Sequence, residues 1–145
     1  MAHINKSVHI MVDPNELIEY ISDVRNHPAF ISALKSIDEV DGDEQQPGRR
    51  WRWVFSMAGV ELVGGSETTQ YEAGKVFGYK TDGDIAAEFT YAAEAEDGGS
   101  RLTIDVDYEV PDNALAAVTD KAVIERLNDN VATGAAESLK AILEG

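Results

Sequence analysis

Residues 100–110 read SRLTIDVDYEV, and the run alternates between apolar and polar side chains. Its apolar set is Leu102, Ile104, Val106, Tyr108 and Val110, and its polar set is Thr103, Asp105, Asp107 and Glu109. A period of two predicts a strand with one buried face and one solvated face. Sheets with one dry and one wet face are preferentially antiparallel. The run therefore predicts a strand of an antiparallel sheet, ended by Pro111.

Four similar runs precede this strand, and each is closed by a short turn that contains glycine. They cover residues 49–57, 60–72, 75–81 and 85–96. Turns of two or three residues join antiparallel neighbours, because parallel strands need long crossovers. Alternation over His3–Val12 predicts a further strand, and residues 35–40 predict a weak one. The pair Gly64-Gly65 predicts a bulge or sharp bend, which leaves the facing of residues 66–72 open.

Two short helices are predicted after the first strand. Asp13 is a suitable N-cap, Pro14 fits the first helical position, and Glu16 completes a capping box. This helix is expected to end near Ser22. Pro28 precedes a second short helix, predicted over residues 29–34.

A long helix is predicted from Ala114 to Leu143. Apolar residues recur there at spacings of three and four, which is typical of an amphipathic helix: Leu115, Val118, Ala122, Val123, Leu127, Val131, Ala135, Leu139 and Ile142. Thirty helical residues span about 45 Å, whereas an eleven-residue strand spans about 36 Å. The helix is thus long enough to cross the dry face of the sheet. Gly134 is expected to mark a kink or a close approach to the sheet.

These elements predict one α+β domain over residues 1–145, a curved antiparallel sheet of about seven strands wrapped around a long C-terminal helix. The formal charge of −15 argues against nucleic acid and against anionic membranes as partners. The chain contains no run of 18 apolar residues, so membrane insertion is not predicted. No export signal is recognised either, so the protein is expected in the cytoplasm.

Metal and cysteine chemistry are not expected. The chain has no cysteine, which excludes disulfides and thiolate nucleophiles. His3 and His9 share a face of the first strand about 20 Å apart, too far to hold one ion. No cofactor and no metal are therefore predicted.

The chain resembles the START-related polyketide cyclase/dehydrase (SRPBCC) superfamily over essentially its whole length. Four stretches carry the resemblance: Val12-Asp13-Pro14 with Tyr20–Asp23 and Asn26-His27-Pro28, Gly48–Trp51 with the hairpin at Gly59, Asp97–Thr103 through Tyr108–Pro111, and Ser138-Leu139-Lys140 with Glu144. The resemblance implies a helix-grip fold with an apolar cavity between the sheet and the long helix. The superfamily includes lipid carriers, aromatic polyketide cyclases, ring-hydroxylase subunits and regulators of other proteins, so no single reaction is implied.

A ligand site is predicted on the dry face, where aromatic walls and phenol groups suit a flat or greasy molecule. Its candidate residues are Trp53, Phe55, Thr68, Tyr79, Phe89, Tyr91, Tyr108, Leu127 and Val131. Each of them is also explained by ordinary core packing. The excess of tyrosine favours a site, because three buried hydroxyls are costly to satisfy without water or ligand.

The sequence leaves two alternative sets of polar residues that could point into the cavity. One is Thr68, Gln70 and Asn130, and the other replaces the strand residues by Glu67, Thr69 and Tyr71. A slip of one residue in the register exchanges the strand sets.

No catalytic residue is predicted. Arg52 invites an oxyanion or cation–π role, but the strand phase places it outside. His27 could act as a general base, although its position at a helix start favours a structural role. Asp105 and Asp107 are typical of a solvated strand face.

Three functions remain in order of preference. The first is binding or transport of a hydrophobic or aromatic small molecule, including lipid, by a monomer or homodimer. The second is a cyclase- or dehydratase-like enzyme that uses a pocket tyrosine or histidine as acid and base. The third is a protein-interaction module, which predicts a large exposed apolar patch.

Overall fold

Seven antiparallel strands form one sheet in the order β1-β7-β6-β5-β4-β3-β2. The computed structural model describes residues 2–43, 45–57, 59–109 and 121–145. The strands are β1 (Ala2–Ile10), β2 (Leu34–Asp41), β3 (Arg50–Met57), β4 (Val60–Glu72), β5 (Val76–Thr81), β6 (Ala86–Glu96) and β7 (Gly99–Glu109). The helices are α1 (Pro14–Ser22), α2 (His27–Phe30) and α3 (Lys121–Glu144), and a 3-10 turn (Val24–Asn26) precedes α2. The predicted helix-grip fold is confirmed.

The alternation in the sequence assigns the faces of the sheet correctly. In β7, Leu102, Ile104, Val106 and Tyr108 are buried, while the intervening residues are half-buried. In β3, Trp51 and Trp53 are buried between exposed arginines. The dry face is therefore the inner, concave side that the helices cover.

The first turn of α1 is capped as predicted. A side-chain oxygen of Asp13 accepts a 2.7 Å hydrogen bond from the backbone N–H of Asn15. The second helix begins earlier than predicted, at His27, and is shorter. It ends at Phe30, because the N–H of Ile31 donates a 2.8 Å hydrogen bond to the carbonyl oxygen of His27 and the backbone of Ile31 is then extended. Leu34, the predicted end of that helix, begins β2 instead.

The bulge predicted at Gly64-Gly65 is wrong. These glycines pair in continuous register with Trp53 and Arg52 of β3. A Cβ at residue 64 would overlap the ring of Trp53 and the carbonyl oxygen of Asp82, so glycine here serves a close approach. The irregularity of β4 lies farther along, between Thr68 and Gln70, where the pairing with β5 shifts.

Helix α3 crosses the inner face of the sheet. Near its C-terminus, Lys140 Nζ donates to His9 O at 2.8 Å, and Glu144 accepts from Met11 N at 3.0 Å. Near the other end, Ile124 packs with Trp53, Met57 and Leu62. The helix therefore extends from β1 to the β3–β4 hairpin. Its predicted start, with Leu115 and Val118, lies outside the described residues.

The buried face of α3 departs from the predicted stripe at its N-terminal end. Ile124 is buried, whereas Ala122 is exposed and Leu127 is half-buried. The predicted stripe advances mostly by four residues, and each such step drifts by about 40° because a turn takes 3.6 residues. Gly134 makes no close approach to the sheet, since no neighbouring atom lies within 4 Å of a Cβ there, and the helix is continuous through it.

Within the described residues, no helix is both long and apolar enough to cross a membrane.

Candidate functional site

A cavity of about 110 Å³ lies between the inner face of the sheet and α3. Val131, Ala132 and Ala135 border it on the helix side. Two of these side chains are single methyl groups, so the helix covers the sheet here without filling the space beneath it. The remaining wall comes mainly from apolar and aromatic side chains of the sheet, with Ile31 from the segment after α2. The sequence-based expectation of an apolar space between sheet and helix is met.

Seven of the nine predicted site residues line this cavity: Trp53, Phe55, Tyr79, Phe89, Tyr91, Tyr108 and Val131. Two of them do not. Thr68 is buried, but it lies beside the chain at Gly48 and Arg49, with which its backbone exchanges two 2.8 Å hydrogen bonds. Leu127 lies off the cavity because the inward face of α3 passes through Asn128 instead.

Ser66 is the lining residue that sequence reasoning missed on β4. Leu62, Gly64, Ser66 and Thr68 are buried in alternation. After the irregularity at Thr68, the facing changes, and Gln70 is exposed. Uninterrupted alternation from Leu62 would have identified Ser66, had Gly64-Gly65 not indicated a bulge.

The other polar residues weighed from sequence lie away from the cavity. Asn130 and Thr69 are exposed, and Tyr71 is half-buried. Glu67 accepts from the guanidinium of Arg50 at 2.9 Å. On the helix, Asn128 lines the cavity instead, and helical spacing from Ile124 would have indicated it.

The buried tyrosine hydroxyls find partners inside the protein. The hydroxyl of Tyr79 interacts with that of Tyr91, and the hydroxyl of Tyr108 interacts with the side chain of Asn128. Burial raises the pKa of Tyr91 to about 12, and burial together with Tyr91 raises the pKa of Tyr79 well above its usual value. These interactions give each buried hydroxyl a polar neighbour within the protein, which weakens the argument that the three hydroxyls need a ligand.

His27 is held in its neutral form at the edge of the cavity. Its ring is buried, and Nε2 lies 2.8 Å from Ile21 O, an acceptor that fixes the proton on Nε2. The pKa of His27 is lowered to about 4, mainly by desolvation and also by nearby Arg49, against the raising effects of the Ile21 carbonyl and Asp23. The rings of Tyr79 and Phe30 lie 5.6 and 5.4 Å from the imidazole, centroid to centroid. This packing agrees with the structural role that the sequence favoured.

The charged candidates lie on the outer face, as predicted. Arg52 approaches Glu39 at 3.7 Å. His3 bridges Asp105 and Asp107 at 2.9 and 2.7 Å. In the part of the chain that the structure describes, no cluster of three or more histidine or carboxylate side chains is arranged to hold a metal.

Comparison with known proteins agrees with this architecture. A family model described as polyketide cyclase/dehydrase and lipid transport matches residues 1–144. Comparison with curated proteins finds no match.

Similar folds occur among solved structures of low sequence identity. A START superfamily protein from Mycobacterium smegmatis has a TM-score of 0.76 and 16% identity, with 98% of this chain and 97% of that chain covered. A protein from Thermus thermophilus gives 0.75 and 17%, with coverage of 97% and 99%. The Zhui aromatase/cyclase from a Streptomyces species gives 0.74 and 14%, with coverage of 99% and 93%. At these identities the likeness concerns the fold alone.

Proposed function

Because the chain belongs to the polyketide cyclase/dehydrase and lipid transport family, we propose that it binds a small hydrophobic or aromatic molecule in the cavity beneath α3. The family supports hydrophobic-ligand binding or a cyclase-like reaction. The observation that carries the proposal is an apolar space left open by Ala132 and Ala135. A well-packed core has few voids larger than a water molecule, so ordinary core packing does not account for a void of this size.

The size of the cavity supports a ligand of one ring or a short chain. A dry cavity of about 150 Å³ holds benzene, whereas drug-sized ligands occupy about 300–1,000 Å³. At about 110 Å³, the cavity belongs to the first class. Trp51, Tyr79 and Phe89 offer ring surfaces that favour stacked or edge-on contact with a flat molecule, and Tyr79 and Phe89 stack at 4.6 Å.

The pKa values favour binding over acid–base chemistry. General acids and bases work best when their pKa lies near the operating pH. His27, with a pKa of about 4, is a weak base at neutral pH, and Tyr91, with a pKa of about 12, is a weak acid. Neither group therefore has a pKa near neutral pH, where general acid–base catalysis is most efficient.

A cyclase- or dehydratase-like enzyme is the second candidate. The observation that favours it is that Tyr79 and Tyr91 both line the cavity and that their hydroxyls interact with each other. Such a pair would act by orienting a carbonyl substituent, because positioning alone lowers a reaction barrier. Cyclisation that survives Tyr91→Phe at the wild-type rate would exclude this role for the pair.

Further proposals concern the compartment, the domain count, the oligomeric state and nucleic acid. We propose a cytoplasmic protein of one domain, monomeric or homodimeric, without a nucleic-acid partner. The net charge of −15 supports the absence of a nucleic-acid partner, because the phosphate backbone requires cationic contacts.

The binding proposal is tested by titrating the 15N-labelled protein with toluene. Amide shifts are expected at cavity residues such as Phe89 and Val131. Ala132→Leu fills the cavity and is expected to abolish them, whereas Ala141→Leu, the same change at an exposed position of α3, should leave binding intact. Equal binding by both variants would place the ligand elsewhere and overturn the proposal.

A further inference from the structure

We propose that Ser66 anchors a single neutral polar substituent of the ligand, which makes the preferred ligand a one-ring phenol, alcohol or ketone. The inference rests on the proposed function, because it specifies the chemistry of the same cavity. It begins from the Oγ atom of Ser66, which is buried and finds no hydrogen-bond partner among the described residues. Only 6% of the residue is exposed, and it lines the cavity.

An unpartnered buried hydroxyl is unusual. Most buried polar side-chain atoms in native structures have at least one partner, and exceptions call for an explanation. A serine hydroxyl carries one donor and two acceptor sites, so it is complementary to a hydroxyl or a carbonyl alike. A ligand that reaches Ser66 would supply the missing hydrogen bond.

The register of the sheet places Ser66 in a shallow trough. Five lining residues form one row across five strands through direct pairing: Trp51, Ser66, Thr81, Ala87 and Tyr108. Small side chains occupy the middle of the row and large rings stand at its ends. A flat ring can lie over Thr81 and Ala87 with its substituent directed at Ser66.

Neighbouring polar groups are already committed to the protein. Thr81 Oγ1 donates to Ile85 O at 2.7 Å. The hydroxyl of Tyr108 has Asn128 as a polar neighbour, and the hydroxyls of Tyr79 and Tyr91 interact with each other. Ser66 is therefore the lining hydroxyl that gains most from a ligand.

The charges around the cavity favour a neutral ligand. The exposed acidic residue Glu109 is among the lining residues, and His27 stays uncharged at neutral pH. The cationic residue Arg49 lies near His27 but is not among the lining residues. A buried ionised group is costly without an opposite charge beside it. A carboxylate on the ligand would face Glu109 and the field of a chain with net charge −15, so it would be disfavoured.

The test compares phenol with toluene, which differ by a hydroxyl in place of a methyl group, on wild-type protein, Ser66→Ala and Ser56→Ala. Affinities come from the same amide titrations. Ser66→Ala is expected to weaken phenol binding about two- to tenfold, the value of one hydrogen bond, and to leave toluene binding unchanged. Ser56, on β3 and outside the cavity lining, is the matched control and should change neither ligand.

Each outcome has one meaning. A selective loss for phenol supports the anchor. Toluene and phenol responding equally to Ser66→Ala, or not at all, overturns the anchor while the binding function stands. Failure of the wild-type protein to bind either probe overturns the proposed function, and the anchor falls with it.

Discussion

The indole ring of Trp53 occupies the space where a side chain at residue 64 would stand. The two residues are direct partners in the β3–β4 register, and Trp53 Nε1 donates a 3.0 Å hydrogen bond to the carbonyl oxygen of Gly65. The glycine is thus required by its cross-strand neighbour. Trp53 in turn lines the cavity and packs against α3 through Ile124.

Gly64→Ala is therefore expected to destabilise the protein by about 1–3 kcal/mol or more, because the added methyl overlaps the Trp53 ring and the Asp82 carbonyl. Urea denaturation measures the loss. Gly65→Ala is the matched control, since its nearest contact is the Asp82 carboxylate at 3.2 Å, and it should cost less. Equal losses for the two variants would contradict the role assigned to Trp53.

Gly134→Ala is expected to stabilise the protein, in contrast to Gly64→Ala. The residue lies inside α3, and no neighbouring atom stands within 4 Å of the new methyl group. Alanine is favoured over glycine in a helix interior by about 1 kcal/mol, so the free energy of unfolding should rise by up to that amount. Thermal denaturation gives the sign directly, and a lower midpoint for the variant would show an unseen steric conflict.

His27 is expected to make the stability of the protein sensitive to acid. Its pKa of about 4 in the folded state lies below the usual 6.5, so the unfolded chain binds the proton first as the pH falls. The stability that neutral His27 contributes is full above pH 6.5 and is lost towards pH 4, by about 3 kcal/mol over that range.

His27→Gln is expected to reduce the pH dependence of the free energy of unfolding between pH 6.5 and pH 4, even if the variant is less stable at pH 7. Urea denaturation at intervals of one pH unit measures the two slopes. NMR of the wild-type imidazole should show the Nε2-protonated neutral form at pH 5.5. An unchanged slope in the variant would assign the acid sensitivity to other groups.

The pKa of His3 is expected to be shifted in the direction opposite to that of His27. Its hydrogen bond to Asp107 and the charge of Asp105 raise its pKa above 6.5. Its contribution to stability is therefore full below pH 6.5 and is lost as the pH rises through the folded-state pKa. NMR titration should show the raised pKa, and Asp107→Asn should lower it. An unchanged His3 pKa in Asp107→Asn would exclude the pairing of His3 with Asp107 in solution.

The fold could be predicted because the pattern and the packing agree. Leu102, Ile104 and Val106 alternate without interruption, and the short turns permit only antiparallel neighbours. The faces of β3, β5, β6 and β7 followed from period two alone. Seven of the nine site residues therefore fell on the cavity lining.

The details that sequence missed depend on contacts across the sheet. A glycine pair is equally consistent with a bulge and with a close neighbour, and only the position of Trp53 decides between them. That choice determined whether Ser66 was seen. Similarly, the inward face at Asn128 depends on where α3 crosses the sheet, which the spacing of its apolar residues does not fix.

The alanines that border the cavity make ligand size separable from architecture. Ala132 and Ala135 take no part in strand pairing, so substitutions there leave the register untouched. Under the proposed function, larger side chains at these two positions would restrict the cavity to smaller ligands while the β-sheet stays unchanged.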